Sequence, residues 1–347
     1  MRGLGWTGMA TIEDVAHKAG VSVATVSRVL NGSDGVRAGT VERVQKAISA
    51  LDYVPNFAAR NLRRNETRAV MLVAPNFTNP YYSHILAGIG DAAHALEYSV
   101  FICNMEEADA VRRLLDSVVK NHRADGAILL ASAHDADWLG YYGQELPIIQ
   151  CCEYTGKARL PHVAIDNYRA AYESVEYLLN LGHRRVATLS SSNKYISTKL
   201  RYEGYCDALK AAGVEPRADY CAQAGPDYSY NSGYVMANKL LSLPERPSAV
   251  FCVSDILALS VIAAAKDRGL RVPEDLSVMG FDDVDYTTML HPHLTTVSQP
   301  CYEMGRRSME LLLAYKEAFP AAPQAEPMPH KLVLRESTAP FVEQGPQ

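Results

Sequence analysis

From Ala69 onward the sequence alternates short β-rich runs with helix-length amphipathic runs, and that alternation admits few folds. Strands read at 69–74, 99–103, 126–131, 147–151, 162–165, 185–189, 249–253 and 276–280. Helical stretches read near 81–97, 107–121, 167–181, 199–212, 231–243, 255–268 and 302–317. A repeated strand–helix–strand order predicts parallel sheets covered by helices. So many strands exceed one comfortable sheet, so the core divides into two lobes near Ile165-Asp166. Segments 295–298 and 332–334 read as late strands returning to the lobes. The chain of 347 residues is long enough for two to three compact units.

The first 68 residues have a different texture. They hold ten Lys+Arg against six Asp+Glu, whereas the remainder holds 24 against 33, so a basic head precedes an acidic body within a net charge of −5. That asymmetry suits a chain of which only one part meets phosphate. Thr11-Ile12-Glu13-Asp14 forms a capping-box variant opening a helix, and Ile12, Val15, Ala16 and Ala19 share one face of it. Gly20 ends that helix, Ser22 caps a second with Val26, Val29 and Leu30 inward, and Asn31-Gly32 stops it. Thr40 reads as the start of a third helix, with Val41, Val44, Ile48 and Leu51 inside. Residues 56–65 are basic and helix-capable but lack a wide apolar face, as in a linker that orders only against a partner.

A helix, a glycine turn and a second helix with a small polar outer face meet the needs of a helix-turn-helix. A reading helix must enter a groove ~12 Å wide. Ser22, Thr25 and Ser27 suit phosphate or base contacts, and Arg28 suits a bidentate contact with a guanine edge. The blander alternative is a surface helix of a bundle, which the basic head and the following linker disfavour.

The run Thr11-Ile12-x-Asp14-Val15-Ala16-x-x-Ala19-Gly20-Val21-Ser22-x-x-Thr25-Val26-Ser27-Arg28-Val29-x-Asn31 resembles the N-terminal signature of the lactose/galactose repressor (LacI/GalR) family. Tyr53-x-Pro55-Asn56-x-x-Ala59-x-x-Leu62 is similar to that family's hinge helix. The likeness continues through Leu181-Gly182-His183-Arg184-Arg185, Arg201-x-x-Gly204-Tyr205, Ser254-Asp255-x-x-Ala258, Gly280-Phe281-Asp282-Asp283 and Leu294-Thr295-Thr296-Val297, and so covers roughly residues 10–340. Within the family, Glu153-Tyr154, Cys252-x-Ser254-Asp255 and the run from Gln299 to Arg306 resemble the cytidine-repressor branch.

The resemblance implies a domain plan. Residues 1–9 are an extension, 10–54 the DNA-binding head, 55–68 the hinge, 69–340 the core and 341–347 an unstructured tail. Lobe 1 takes about 69–165 with 298–330, and lobe 2 takes 166–297 with 331–340. It also implies roles. Thr11, Ser22, Val23, Ala24, Thr25, Ser27, Arg28 and Asn31 would meet DNA, as would Asn56, Ala59 and Leu62 in the hinge. Val23 and Ala24 lie where members vary to choose operators, and their small apolar side chains suit a thymine methyl. Leu62 matches a leucine that wedges into the minor groove. Arg37 departs from the small polar residue expected at its position.

The core resembles periplasmic sugar-binding proteins, whose ligand sits at the strands' C-terminal ends. The implied effector contacts are Tyr81, Tyr82, Arg201, Tyr228, Ser254, Asp255 and Asp282. Ser254 stands where many sugar-binding members have Asn. The expectation is a cytoplasmic, dimeric, ligand-responsive regulator, most simply a repressor on a pseudo-palindromic operator. Its effector would be a nucleoside or a sugar, and no cofactor or membrane is involved. The alternative is a binding protein of the sugar-uptake type.

No enzyme is indicated. Gly88-x-Gly90 lacks the third glycine and preceding strand of a dinucleotide fingerprint, and neither GxxxxGK[ST], GxSxG nor HExxH occurs. The seven cysteines form no CxxC pair and read as reduced thiols. His291-Pro292-His293 offers two imidazoles with no third ligand in the neighbouring sequence, so no metal site is expected.

Overall fold

The computed structural model describes residues 10–30, 35–53, 66–75, 79–105, 107–132, 135–158, 160–319 and 326–342. The chain forms two compact units, Met1–Thr67 and Arg68–Gln347. The expected extension 1–9 and hinge positions Asn56, Ala59 and Leu62 lie outside the described residues, as does Asn31.

In the first unit, α1 (Ile12–Ala19), α2 (Val23–Leu30) and α3 (Ala38–Ala50) enclose a small core of Val15, Ala16, Ala19, Val26, Val44, Ala47 and Tyr53. The capping box forms as read. The Thr11 hydroxyl accepts from the Asp14 amide at 3.2 Å, and the Asp14 carboxylate accepts from the Thr11 amide at 2.8 Å. Gly20 takes the left-handed conformation (φ 64°) and closes α1. Helix α3 begins two residues before Thr40. The Arg37 carbonyl accepts from the amides of Thr40 (2.8 Å) and Val41 (3.1 Å), which makes Arg37 the cap position, without a side-chain cap bond.

The second unit holds two parallel sheets. The six-stranded one has the order β11-β5-β4-β3-β1-β2, built from β1 (Ala69–Ala74), β2 (Ser99–Asn104), β3 (Gly126–Leu129), β4 (Ile148–Cys151), β5 (His162–Ile165) and β11 (Glu326–Met328). The four-stranded one has the order β7-β6-β8-β9, built from β6 (Val186–Ser191), β7 (Cys221–Ala224), β8 (Ala249–Cys252) and β9 (Ser277–Met279). Every side chain of β1, β3, β4, β6, β8 and β9 is buried, as strands covered on both faces require.

Helices α4 (Tyr81–Ala95), α5 (Ala108–Asn121), α6 (Leu139–Tyr142) and α11 (Cys301–Ala318) belong with the first sheet. Helices α7 (Asn167–Asn180), α8 (Ile196–Ala211), α9 (Tyr230–Leu241) and α10 (Asp255–Asp267) belong with the second. The chain crosses between the sheets at Asp166, at Gln299-Pro300 and at residues 329–330.

Segments 295–298 and 332–334 form late strands, as read. Strands β10 (Thr296–Ser298) and β12 (Lys331–Val333) pair antiparallel with each other, with bridges from Thr295 to Met279 of β9 and from Ser298 to Asp282. Strands β7 and β11 and the short α6 were not anticipated. Nor is the start of the tail unstructured. The Phe341 amide donates to the Leu181 carbonyl at 2.7 Å, and its ring lies 5.7 Å from that of His183.

Gly88, which failed as a nucleotide motif, has a packing role. A Cβ there would lie 2.0 Å from the Tyr302 carbonyl oxygen, and one at Gly305 would lie 2.1 Å from that of Ile85. The two glycines face each other's helix and let α4 and α11 cross backbone to backbone. At Gly90 a Cβ would meet nothing within 4 Å. Gly88→Ala is expected to cost about 1–3 kcal/mol through overpacking. Gly90→Ala should gain up to about 1 kcal/mol from helix propensity. Urea melts of the two variants check this, and equal shifts would refute the assignment.

Candidate functional site

On the first unit, α2 buries Val26 and turns Val23, Ala24 and Arg28 outward. Thr25 and Ser27 are half-buried. Some hydroxyls expected to face a ligand are already engaged in capping. The Ser22 hydroxyl accepts from the Thr25 amide (3.2 Å) and shares a hydrogen bond with the Thr25 hydroxyl (2.9 Å). Thr11 is held in its capping box. The exposed surface of α2 is therefore small apolar side chains beside one guanidinium.

In the second unit the polar groups gather where the strands end, on the side of their C-termini. The centre is Arg201, on α8, which is only 6% exposed. Its Nη1 donates to the Val253 carbonyl at 2.6 Å, just past β8. Its Nε donates to the Asn167 Oδ1 at 2.9 Å. Nη1 also lies 3.5 Å from the Asp282 carboxylate, and the guanidinium sits 3.6 Å over the Phe281 ring. A buried charge must be paired and hydrogen-bonded, and these partners come from three separate segments, Phe281 and Asp282 being neighbours in sequence.

Asp282 follows β9 with a positive φ of 117°. Among the described residues, Cys152, Tyr228 and Asp283 near the cleft share the positive-φ region. Such backbone costs of order 1–3 kcal/mol per residue and persists where the surroundings impose it. Gln299, at the second crossing, donates to Asp282 at 2.8 Å and accepts from the Tyr81 hydroxyl at 3.3 Å. It thereby links the first sheet's Tyr81 to the second sheet's Asp282. A cavity of about 240 Å³ opens beside Tyr81, Asp282, Gln299 and Tyr302. This lies just under the usual range for small-ligand sites.

Glu153, just past β4, is the residue the sequence undervalued. It is 7% exposed and reaches across to α8. Its carboxylate accepts from the Ser197 amide at 3.1 Å and from the Ser197 hydroxyl. Two surface pairs also cross, Lys194–Asp135 at 3.9 Å and His84–Asp285 at 3.3 Å. Burial pushes the Glu153 carboxyl up to about 7, against the pull of Ser197 and Arg201. Burial likewise pushes Asp282 up to about 7, against Arg201 and Gln299.

The other expected contacts divide. Tyr82 is buried in the core beneath the cleft, with its ring 5.3 Å from that of Tyr81. Tyr228 is half-buried, its hydroxyl 2.5 Å from the Thr198 hydroxyl. Ser254 caps α10. Asp255 is fully buried and accepts from the Thr296 hydroxyl (2.6 Å) and the Val284 amide (2.9 Å), which braces the 282–284 turn. Asp283 pairs with Arg335 at 2.7 Å.

A helix-turn-helix head and a two-lobed core with a polar cleft at its strand ends define a class of two-unit, cleft-bearing proteins. The comparisons with known proteins place this chain within it. Residues 11–56 match the family model for bacterial regulatory proteins, lacI family, and residues 175–338 match a periplasmic binding protein-like domain. The chain is 36% identical over 330 residues to the HTH-type transcriptional repressor CytR of Escherichia coli (strain K12), covering 95% of this chain and 96% of that one. It is similar to the transcriptional regulator CelR–cellobiose complex (TM-score 0.72, 31% identity, 94% and 99% of the chains). It is also similar to the lac repressor dimer bound to operator and the anti-inducer ONPF (TM-score 0.87, 27% identity, 96% and 100%). The chain belongs to the lacI family of bacterial regulatory proteins.

The raised carboxyls give a testable pH signature. An unfolded Asp or Glu ionises near pH ~4. Between about pH 4 and 7 the folded chain therefore holds protons that the unfolded chain has lost. Stability from Glu153 and Asp282 falls as pH rises through that window and levels off above about 7. Glu153→Gln should flatten the decline in Tm between pH 5 and pH 8 relative to the parent. An unchanged slope would show Glu153 already ionised at pH 5.

Proposed function

We propose that this protein is a sequence-specific transcription regulator of the repressor type. It binds a pseudo-palindromic operator as a dimer and responds to a small effector held around Arg201. The observation that carries this reading is one chain joining an exposed small-residue helix at α2 to a buried Arg201–Asp282 pair at the sheet ends. CytR's description as a transcriptional repressor supports it, as does the operator-bound lac repressor dimer.

In this reading Arg28 contacts a base edge while Val23 and Ala24 pack on thymine methyls. Ser22, Thr25 and Thr11 position the helix ends, with Ser27, Asn31, Asn56 and Ala59 on the backbone. Leu62 wedges a central step, which requires two copies. The effector is a nucleoside or a sugar, whose hydroxyls pair with Arg201 and Asp282 while Tyr81 and Tyr228 cover its ring. Ser254 and Asp255 shape the wall. The role is binding rather than catalysis, in the cytoplasm. No helix among the described residues is long and apolar enough to cross a membrane.

Arg28→Ala should weaken operator binding by about 1–3 kcal/mol in gel shifts at fixed salt. Leu62→Ala should weaken operator binding far more than binding to random duplex. Equal losses on both DNAs would make residues 55–68 a plain basic linker.

For the effector, a thermal-shift screen of nucleosides, purines and common sugars should yield a hit. A ligand at ~100 times its Kd stabilises the folded chain by roughly 2.7 kcal/mol. Arg201→Ala leaves a buried carboxylate unpaired and should itself destabilise by about 3–5 kcal/mol, so Asp282→Asn is the cleaner variant. It should keep the free protein folded and lose the response. A full response in Asp282→Asn would refute the pocket.

A further inference from the structure

The structure supplies the third ligand that His291-Pro292-His293 lacked in sequence. Glu336, 43 residues on, meets both imidazoles. The His291 Nδ1 lies 3.2 Å from its Oε2, and the His293 Nδ1 lies 3.5 Å from its Oε1. One nitrogen or oxygen from each of the three residues lies within 4.8 Å of the others. We infer that His291, His293 and Glu336 form a binding site for a divalent transition-metal ion, with both imidazole nitrogens and the Glu336 carboxylate as ligands.

The two segments are pre-arranged for this. The Glu336 and Ser337 amides donate to the His293 carbonyl at 3.0 and 3.1 Å, and the His293 amide donates to Glu336 Oε2 at 3.0 Å. That last bond holds one carboxylate oxygen and leaves Oε1 turned toward His293. Arg335 donates to the Leu294 carbonyl at 2.8 Å on the same joint. The two imidazoles are stacked, with centroids 4.3 Å apart and planes at 29°. Ligands at 2.0–2.2 Å from a tetrahedral ion stand about 3.3–3.6 Å apart. Each imidazole is about that far from one of the two Glu336 oxygens, and with all three ligand atoms within 4.8 Å of one another a small closing movement of the side chains completes the site. Two imidazoles and a carboxylate with no thiolate suit Zn²⁺, Co²⁺ or Ni²⁺ rather than a soft or an all-oxygen ion. The site is at the surface, so water completes the shell.

The position gives the ion a mechanical effect. Arg335, next to Glu336, is paired with Asp283, which follows the cleft residue Asp282. An ion here clips the 282–293 segment to the C-terminal segment and stiffens the turn that carries Asp282.

The test titrates Zn²⁺ into tag-free, metal-free protein by calorimetry, with Tm followed in parallel. The expected result is one Zn²⁺ per chain and a rise in Tm. His291→Ala, which leaves the backbone bonds of the joint in place, and Glu336→Gln should each weaken binding by at least about tenfold. His94→Ala, at an exposed histidine on α4, should leave binding unchanged. Retained one-to-one binding in a His291→Ala/His293→Ala double variant, as when cysteines hold the ion, would overturn the proposal. So would the absence of binding to the parent at 1 mM Zn²⁺.

Discussion

The arrangement of the core depends on keeping one guanidinium buried. An arginine with so little exposure is tolerable only if its charge and donors are met, and Arg201 draws on three segments to meet them. Asn167 opens α7, Val253 follows β8, and the adjacent Phe281 and Asp282 provide a ring face and the charge. Each stands just past the C-terminal end of a strand or at the start of the following helix. The parallel topology delivers Val253, Phe281 and Asp282 there, because β8 and β9 of one sheet end on the same side, and Asn167 arrives at the start of the helix that leads into β6. The left-handed backbone at Asp282 is a consequence, since the Val284 amide is anchored by the fully buried Asp255.

The same cluster decides what holds the two sheets together. Three peptide crossings connect them covalently, but the polar closure runs through Glu153 to Ser197 and through Gln299 between Tyr81 and Asp282. Two buried carboxyls near one guanidinium leave an imbalance, which burial answers by raising both toward about 7. In the proposed function, a bound molecule that donates to Glu153 and Asp282 would relieve that imbalance and favour the arrangement in which these groups face one another.

Much of this was legible in sequence because it rests on local periodicity. The helix–turn–helix, the strands with continuous apolar runs and the amphipathic helices announced themselves within windows of ten to fifteen residues. Strand β7 did not, because Cys221-Ala222-Gln223-Ala224 carries no β-branched residue, and β11 holds only three residues. The β10–β12 ribbon depends on a pairing across more than thirty residues that no local pattern encodes. Arg201 and Asp282 were found through motif resemblance. Glu153 was seen only as part of a motif, since nothing local shows that the end of β4 faces the start of α8. Asp255 stands in a family motif, but its bonds to Thr296 and the Val284 amide, which brace the turn, span tens of residues and are not legible there. Glu336 meets His291 and His293 from more than forty residues away, a distance no local window spans.

The central claim is that the Arg201–Asp282 cluster couples a small molecule to operator binding. Fluorescence anisotropy of labelled operator at fixed salt, with and without the saturating nucleoside or sugar, measures that coupling directly. The parent should show an operator affinity altered by at least about fivefold when the effector is present. Asp282→Asn should bind free operator as the parent does and show no alteration. An equal effector response in both proteins would contradict the account.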